Sequence, residues 1–231
     1  MLGEHSGKTE PAASWQGSFT VRAGGQIATR NQASNDVLVL CTGWAFRYFQ
    51  LADGRRQILQ FLMAGDILSP ATIFDKKYLY SAKALTEVML SEFPRTQVRQ
   101  RCASRPEAQS AIANCSVDEV RDAIELATTL GQCSAEERIA HLLLRLMPRI
   151  AARNVIREHR YPLPLRQQHI ADAVGLTPVH VSRVFSLFRE RGIMSISEGV
   201  LRVFDMSELE RLAPQALLPS ERMASSTLRK V

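Results

Sequence analysis

The sequence contains no long apolar run, and nothing in its 231 residues approaches the length that a membrane-spanning helix needs. Its first segment, MLGEHSGKTEPAASWQG, is polar and lacks the apolar centre of a secretory signal. Cysteine is scarce: four residues lie far apart without a CxxC pair, so free thiols in a reducing compartment are expected. These absences predict a soluble, cytoplasmic protein that makes no contact with a membrane.

The motifs of enzymes are missing as well. The sequence has no Ser/His/Asp or Cys/His arrangement, no metal-ligand spacing and no phosphate-binding glycine loop. Its carboxylates fall mostly on predicted helix faces and in turns, where a solvated charge is the usual finding. We therefore expect no enzymatic activity, no bound metal and no cofactor.

Positive charge is present in excess, and it is placed unevenly. Residues 134–231 hold 15 Lys and Arg against 10 Asp and Glu, whereas residues 1–133 hold 14 against 13. A basic excess in one half is what a polyphosphate partner such as DNA requires. The excess is modest, and a solvated surface with no partner would carry it equally well.

The most informative stretch, residues 167–191, is predicted to form two short helices joined by a tight turn. Gly175 can adopt the left-handed conformation that ends a helix, Thr177 is a natural N-cap, and Pro178 suits the first helical position. The second helix repeats apolar residues at helical spacing, namely Val181, Val184, Phe185 and Phe188. The pattern predicts a helix-turn-helix whose second helix enters the DNA major groove, and the alternative is an ordinary helical hairpin in a core.

The chain from Phe19 to Pro94 is predicted to be mainly β-structure. Short apolar runs are separated by turn signals, and they occupy residues 37–40, 44–51, 58–63 and 88–90. The alternation is sharpest around Asp53-Gly54, a strong hairpin turn. Several short strands at this spacing favour a jelly roll or small barrel over a parallel sheet.

A long helix is predicted over residues 107–131. Its apolar residues are spaced four, three, four and three apart, which makes one narrow seam of Ala113, Val117, Val120, Ile124 and Ala127. Such a seam suits the pairing of two helices across a symmetry axis, and a surface helix lying on its own domain is the alternative. A break follows at residues 131–134, and Ser134 with Glu137 forms a capping box that starts another helix.

Two short extended runs flank Ser197-Glu198-Gly199 after the helix-turn-helix, and they predict a β-hairpin wing. The order of roll, seam helix, hinge, helix-turn-helix and wing resembles the Crp/Fnr superfamily of bacterial transcription regulators over residues 19–212. The stretch that resembles this family most specifically is LPLRQQHIADAVGLTPVHVSRVFSLFRERGIM. The resemblance implies an α+β fold with a cyclic-nucleotide-binding-like β-roll, a long dimerisation helix and a C-terminal winged helix-turn-helix.

The same resemblance implies a homodimer that binds double-stranded DNA at a palindromic promoter site and contacts RNA polymerase. It divides the chain into an N-terminal tail (1–18), the β-roll (19–106), the dimerisation helix and hinge (107–133), the DNA-binding domain (134–213) and a C-terminal tail (214–231).

Departures from the family pattern argue against known effectors. Relatives that bind cyclic AMP carry Gly-Glu and then an Arg-Ser/Thr pair whose arginine holds the phosphate. The matching residues here are Gly65-Asp66 and Tyr80-Ser81, with Lys83 as the only nearby cation, so cyclic nucleotide binding is not expected. The cysteines are not clustered as an iron–sulfur cluster requires, and no histidine falls in the β-roll to hold a haem.

What remains resembles the FixK-like branch, whose members often lack a recognisable small-molecule site. Cys115 in the presumed dimer helix and Cys133 at the hinge are candidate redox residues. The alternative is that they behave as small apolar side chains.

The resemblance also assigns the DNA contacts. The family's base-reading positions match Pro178, Val179, Ser182 and Arg183. Arg183 is suited to donate two hydrogen bonds to guanine, and Val179 stands where most members have glutamate. Gln168, Thr177, His180 and Arg202 are expected to contact phosphates. The competing hypothesis is a ligand- or redox-sensing module whose helix-turn-helix serves protein contacts.

Overall fold

The computed structural model describes residues 17–214 and Leu217. The predicted N-terminal tail therefore lies outside the described residues, apart from Gly17 and Ser18, which already belong to the first strand. The predicted C-terminal tail lies outside them apart from Pro214 and Leu217.

The strands of the N-terminal half form two antiparallel sheets. They are β1 (Gly17–Val21), β2 (Gln26–Ala28), β3 (Asp36–Thr42), β4 (Trp44–Gln50), β5 (Arg56–Met63), β6 (Ser81–Ala84) and β7 (Val88–Pro94). One sheet has the order β1-β7-β3 and the other the order β2-β6-β4-β5. A short 3-10 helix, Pro70–Ile73, lies between β5 and β6. This arrangement confirms the predicted β-roll, although β1, β2 and β6 were not among the predicted strands.

Gly43 makes the sharp corner between β3 and β4. Its φ of +81° is a conformation that residues with a side chain rarely adopt, and a Cβ there would lie 2.1 Å from the carbonyl oxygen of Glu87. β4 and β5 then form the predicted hairpin, with Trp44 opposite Met63 and Gln50 opposite Arg56. The glycine therefore fixes where this hairpin leaves the first sheet.

Helices make up most of the remaining chain. They are α1 (Arg95–Ser104), α2 (Pro106–Gln132), α3 (Ala135–Ala151), α4 (Gln167–Val174), α5 (Pro178–Glu190) and α6 (Met206–Leu212). α2 continues through Gly131, so the predicted break falls at Cys133. Ser134 and Glu137 form the predicted capping box at the start of α3. The strands β8 (Arg160–Pro162), β9 (Met194–Ser197) and β10 (Val200–Val203) form a sheet of order β8-β10-β9, which contains the predicted wing.

The β4–β5 hairpin is covered on both faces. Ala45 and Leu62 belong to the core between the two sheets, whereas Phe46, Tyr48 and Ile58 belong to a second core that continues into the helical half. Apolar burial of this kind is the main favourable contribution to folding. The hairpin therefore joins the roll to the helix-turn-helix.

Polar contacts reinforce this junction. Arg56 at the start of β5 donates from Nε and Nη2 to Asp172 Oδ2 on α4, at 2.8 and 2.5 Å. Gln57 Nε2 donates to the carbonyl oxygen of Ala173 at 3.0 Å, and the rings of Phe46 and His169 lie 5.8 Å apart. Helix α4 thus lies on the hairpin, and α5 lies beyond it.

Candidate nucleic-acid interface

The helix-turn-helix is built as the sequence predicts. Ile170, Ala171 and Val174 of α4 are buried, and Gly175 ends the helix with φ +66° in the left-handed region. A Cβ at Gly175 would lie 2.8 Å from Leu130 Cδ2, so the turn also passes close to the end of α2. The hydroxyl oxygen of Thr177 accepts from the backbone N–H of His180 at 3.2 Å and caps α5. These contacts fix the angle between the two helices.

The outer face of α5 carries the predicted base-reading residues together. They line one shallow concavity of about 520 Å³, whose walls are Gln167, Pro178, Val179, Ser182, Arg183, Ser186, Leu187 and Glu190. Val179 is 64% exposed and Arg183 is exposed, whereas Val181, Val184 and Phe188 on the opposite face are buried. The helix therefore presents a mainly polar face outward, on which Val179 is the most exposed apolar residue.

The predicted phosphate contacts are placed less uniformly. Thr177 and His180 lie at the exposed N-terminus of α5, and Arg202 lies on the wing strand β10 with its guanidinium 5.1 Å from the Phe204 ring centroid. Gln168 instead donates to Asp172 Oδ1 at 2.7 Å, on the side where α4 meets the β4–β5 hairpin. Its neighbour Gln167 lines the concavity, and the sequence reasoning missed it because two adjacent glutamines look alike in a helical pattern.

The seam of α2 points away from the rest of its own chain. All five predicted residues are exposed, and Val117, Val120 and Ile124 are 54%, 60% and 61% exposed. The opposite face carries Glu119 and Asp122, which are partly buried against the roll and α3. An apolar stripe on a helix is normally buried, so the outward seam of α2 leaves an apolar face for another molecule.

The residues that match the cyclic-nucleotide cassette of relatives are engaged in hydrogen bonds and ion pairs within this chain. Asp66 Oδ2 accepts from the backbone N–H of Met63 at 2.8 Å and from Arg149 Nη2 at 2.5 Å, and Asp66 Oδ1 accepts from Arg153 at 3.1 Å. The hydroxyl of Tyr80 donates to Glu119 Oε1 at 2.7 Å. Burial is the main cause that raises the pKa of Tyr80 far above its ordinary value of 10, so the phenol stays protonated and remains a donor.

The prediction that Lys83 is the only cation near Tyr80 is wrong. The guanidinium of Arg47 lies 4.9 Å from the Tyr80 ring centroid and pairs with Glu119. Arg47 lies 33 positions before Tyr80 in the chain, and only the pairing of β4 with β6 brings them together. The positive charge beside the cassette therefore comes from the neighbouring strand.

The two candidate redox cysteines do not have the environment of reactive thiols. Burial, followed by the nearby carboxylates of Asp118 and Glu119, raises the pKa of Cys115. Partial burial and then Glu137 raise the pKa of Cys133. A reactive thiol needs a lowered pKa, so both surroundings favour the protonated, less nucleophilic form.

Two further observations concern membrane-spanning helices and metal-ligand clusters. No helix among residues 17–214 has both the length and the apolar character needed to cross a bilayer. Within the same residues, no three side chains of His, Cys, Asp or Glu gather as a metal site would require.

Comparison with known proteins places both halves of the chain. Residues 137–212 match the Crp-like helix-turn-helix domain, and residues 19–105 match the cyclic nucleotide-binding domain. The nitrogen fixation regulation protein FixK of Azorhizobium caulinodans is 33% identical over 81% of this chain and 75% of its own length. The transcriptional activatory protein AadR of Rhodopseudomonas palustris is 33% identical over 81% of this chain and 77% of its own length.

The fold also matches a solved structure. FixK2 from Bradyrhizobium japonicum superposes with a TM-score of 0.77 at 24% identity, and the match covers 86% of this chain and 97% of the FixK2 chain. The agreement spans the roll, the long helix and the helix-turn-helix in the same order.

Proposed function

The chain belongs to the Crp/Fnr superfamily of bacterial transcription regulators, in its FixK-like branch, and we propose that it acts as a homodimer on a palindromic promoter site. In this proposal, α5 of each protomer enters the major groove of one half-site. The wing and the N-terminus of α5 contact the flanking phosphates, which fix the register of the complex.

The exposed outer face of α5 is the observation that carries the proposal. Arg183 projects from it without an ion pair among the described contacts, so its guanidinium is available to donate to guanine O6 and N7. Ser182 is suited to a base edge or a phosphate, and Val179 to a thymine methyl group. Because Val179 replaces the glutamate of most members, we propose a half-site that differs from the family's usual one.

The outward apolar seam of α2 supports the dimer. Pairing of two α2 helices across a two-fold axis would remove Val117, Val120 and Ile124 from water in both protomers. The two recognition helices would then stand in symmetric positions, as a palindrome requires.

RNA polymerase is the proposed protein partner. AadR is named a transcriptional activatory protein, and activation requires a surface that polymerase can contact. Exposed loops of the roll are the candidates, and the loop that carries Phe74 and Leu79, at 65% and 50% exposure, is one of them.

Selection of bound sites from random duplex DNA, with and without oxidant, tests the proposal. We expect an inverted repeat in both conditions, and binding to it should fall steeply as salt rises because counterions are released from the phosphates. Failure to enrich any sequence, with no salt-dependent affinity, would favour a sensor whose helix-turn-helix contacts protein. A sequence enriched in only one condition would favour a redox sensor despite the raised thiol pKa values.

A further inference from the structure

Glu119 lies on the inward face of α2 and is bound by the roll. Its carboxylate accepts from the hydroxyl of Tyr80 at 2.7 Å and pairs with the guanidinium of Arg47. Arg47 also donates from Nη2 to the carbonyl oxygen of Ile67 at 2.7 Å. The carboxylate of Glu119 thus joins α2 to β4 through Arg47 and to the residue just before β6, Tyr80, while Arg47 extends the contact to Ile67.

The site is built to receive an anion. The side chain of Arg47 is only 6% exposed and that of Glu119 25% exposed. A guanidinium so deeply buried is costly unless an anion compensates its charge. Tyr80 adds a neutral donor, because its raised pKa keeps the hydroxyl protonated. Glu119 is the anion that both groups contact.

The position of this site matches the place of an effector. In relatives that bind cyclic AMP, the residue matching Tyr80 is the arginine that holds the cyclic phosphate. Here the cation comes from Arg47 on the adjacent strand, and the negative charge comes from the protein's own helix. A carboxylate of the chain itself therefore lies beside the cassette.

Docking of Glu119 also sets the rotation of α2. Inward residues Cys115, Glu119 and Asp122 follow the same four-and-three spacing as the seam, displaced by two positions, or about 200° around the helix. Fixing the carboxylate of Glu119 against Arg47 and Tyr80 therefore turns Val117 and Val120 outward. Rotation of α2 away from this site would bury the seam or place it off the two-fold axis.

We propose that Glu119 is a built-in anionic effector, which positions α2 for dimerisation and DNA binding in place of a diffusible ligand. This inference rests on the proposed function. Glu119 acts through the orientation of α2 and touches no DNA, so it is a positioning residue. Asp66 supports the same inference, because it pairs with Arg149 of α3 and with Arg153 just beyond the end of that helix, and so ties the roll to the DNA-binding domain.

Glu119→Gln in the full chain is the first test, with Asp118→Asn as the matched control. Asp118 is the adjacent carboxylate, but its side chain is 55% exposed and pairs with Arg121. We expect Glu119→Gln to weaken binding to the selected duplex about 5- to 150-fold, the usual range of coupling between two sites. Asp118→Asn should bind as the wild-type protein does. Circular dichroism and sedimentation velocity report the fold and the oligomeric state of each variant.

Rescue of Glu119→Ala by formate or acetate provides a readout that a purely structural contact would not give. The truncation leaves the anion site without its carboxylate, and a small carboxylate should restore DNA affinity in a saturable manner. Chloride at the same ionic strength should not restore it. The variant would thereby become dependent on an effector.

The outcomes separate the effector inference from the proposed function. If the wild-type protein binds no duplex, the proposed function fails, and the effector inference fails with it. If the wild-type protein binds and both Glu119 variants bind equally well, only the inference is overturned. A folded Glu119→Ala variant that stays weak in formate and acetate also overturns it. If neither variant folds, even with formate present, Glu119 is needed for folding itself and a separate positioning role is refuted.

Discussion

Truncation of Ile124 is expected to weaken the dimer strongly. Ile124 is 61% exposed in the protomer and lies in the seam of α2. Burying a whole isoleucine side chain stabilises by about 1.5–3 kcal/mol. Burying at the interface the fraction of Ile124 that the protomer leaves exposed should therefore contribute about 1–2 kcal/mol. A two-fold interface contains Ile124 twice, which makes the loss in Ile124→Ala roughly 2–4 kcal/mol. At about 1.4 kcal/mol for each factor of ten, the dimer dissociation constant should rise roughly 30- to 700-fold.

Sedimentation equilibrium over a range of protein concentrations measures this change directly. Val155→Ala is the control, because Val155 is 85% exposed and lies in the loop between α3 and β8, away from the seam. It should leave the dissociation constant unchanged. A dimer of wild-type affinity in Ile124→Ala would refute the assignment of the seam to an interface. Equal weakening in Val155→Ala would show that exposed apolar area alone drives association.

Three further substitutions test other parts of the molecule. Arg183→Ala should cost about 1–3 kcal/mol of specific binding free energy and relax the preference at one base pair of each half-site. Fluorescence anisotropy with variant duplexes measures both effects, and an unchanged affinity would refute the role of Arg183 in reading a base. Gly175→Ala should lower the free energy of unfolding, measured in urea, by about 1–2 kcal/mol, because a residue with a Cβ is strained in the left-handed conformation. Contact of the new Cβ with Leu130 would add to this loss. Burial, and then Arg145, lowers the pKa of His141 from 6.5 to about 4. The folded protein therefore binds fewer protons than the unfolded chain between these values, and its stability should fall as pH falls through that window. His141→Leu should flatten this part of the pH profile, and an unchanged slope would contradict the argument.

The helix-turn-helix was predictable because its signals are local. Gly175, Thr177 and the apolar repeat of α5 all lie within 25 residues, and each specifies a backbone conformation or a buried face without reference to distant parts of the chain. The seam of α2 was predictable for the same reason. What the local pattern left open was its partner, and the exposure of Val117, Val120 and Ile124 favours another molecule over the chain's own domain.

The anion site could not be predicted because its parts are distant in sequence. Arg47 and Glu119 are 72 positions apart, and Tyr80 lies between them in a segment with a weak strand signal. Their meeting depends on the pairing of β4 with β6 and on the rotation of α2. In the sequence, Glu119 reads only as a charged residue flanking an apolar seam, and a solvated charge is the usual meaning of such a residue.

The two faces of α2 have different parts in the proposed regulation of DNA binding by Glu119. The inward face carries charged residues with specific partners beside apolar ones such as Leu126: Glu119 meets Arg47 and Tyr80, and Asp122 meets Gln60 and Arg145. Ion pairs and hydrogen bonds depend strongly on geometry, whereas apolar contacts do not, so the inward face can determine the rotation of the helix. The outward seam then supplies the free energy of association in the proposed dimer, because this rotation of α2 turns the seam toward a second copy.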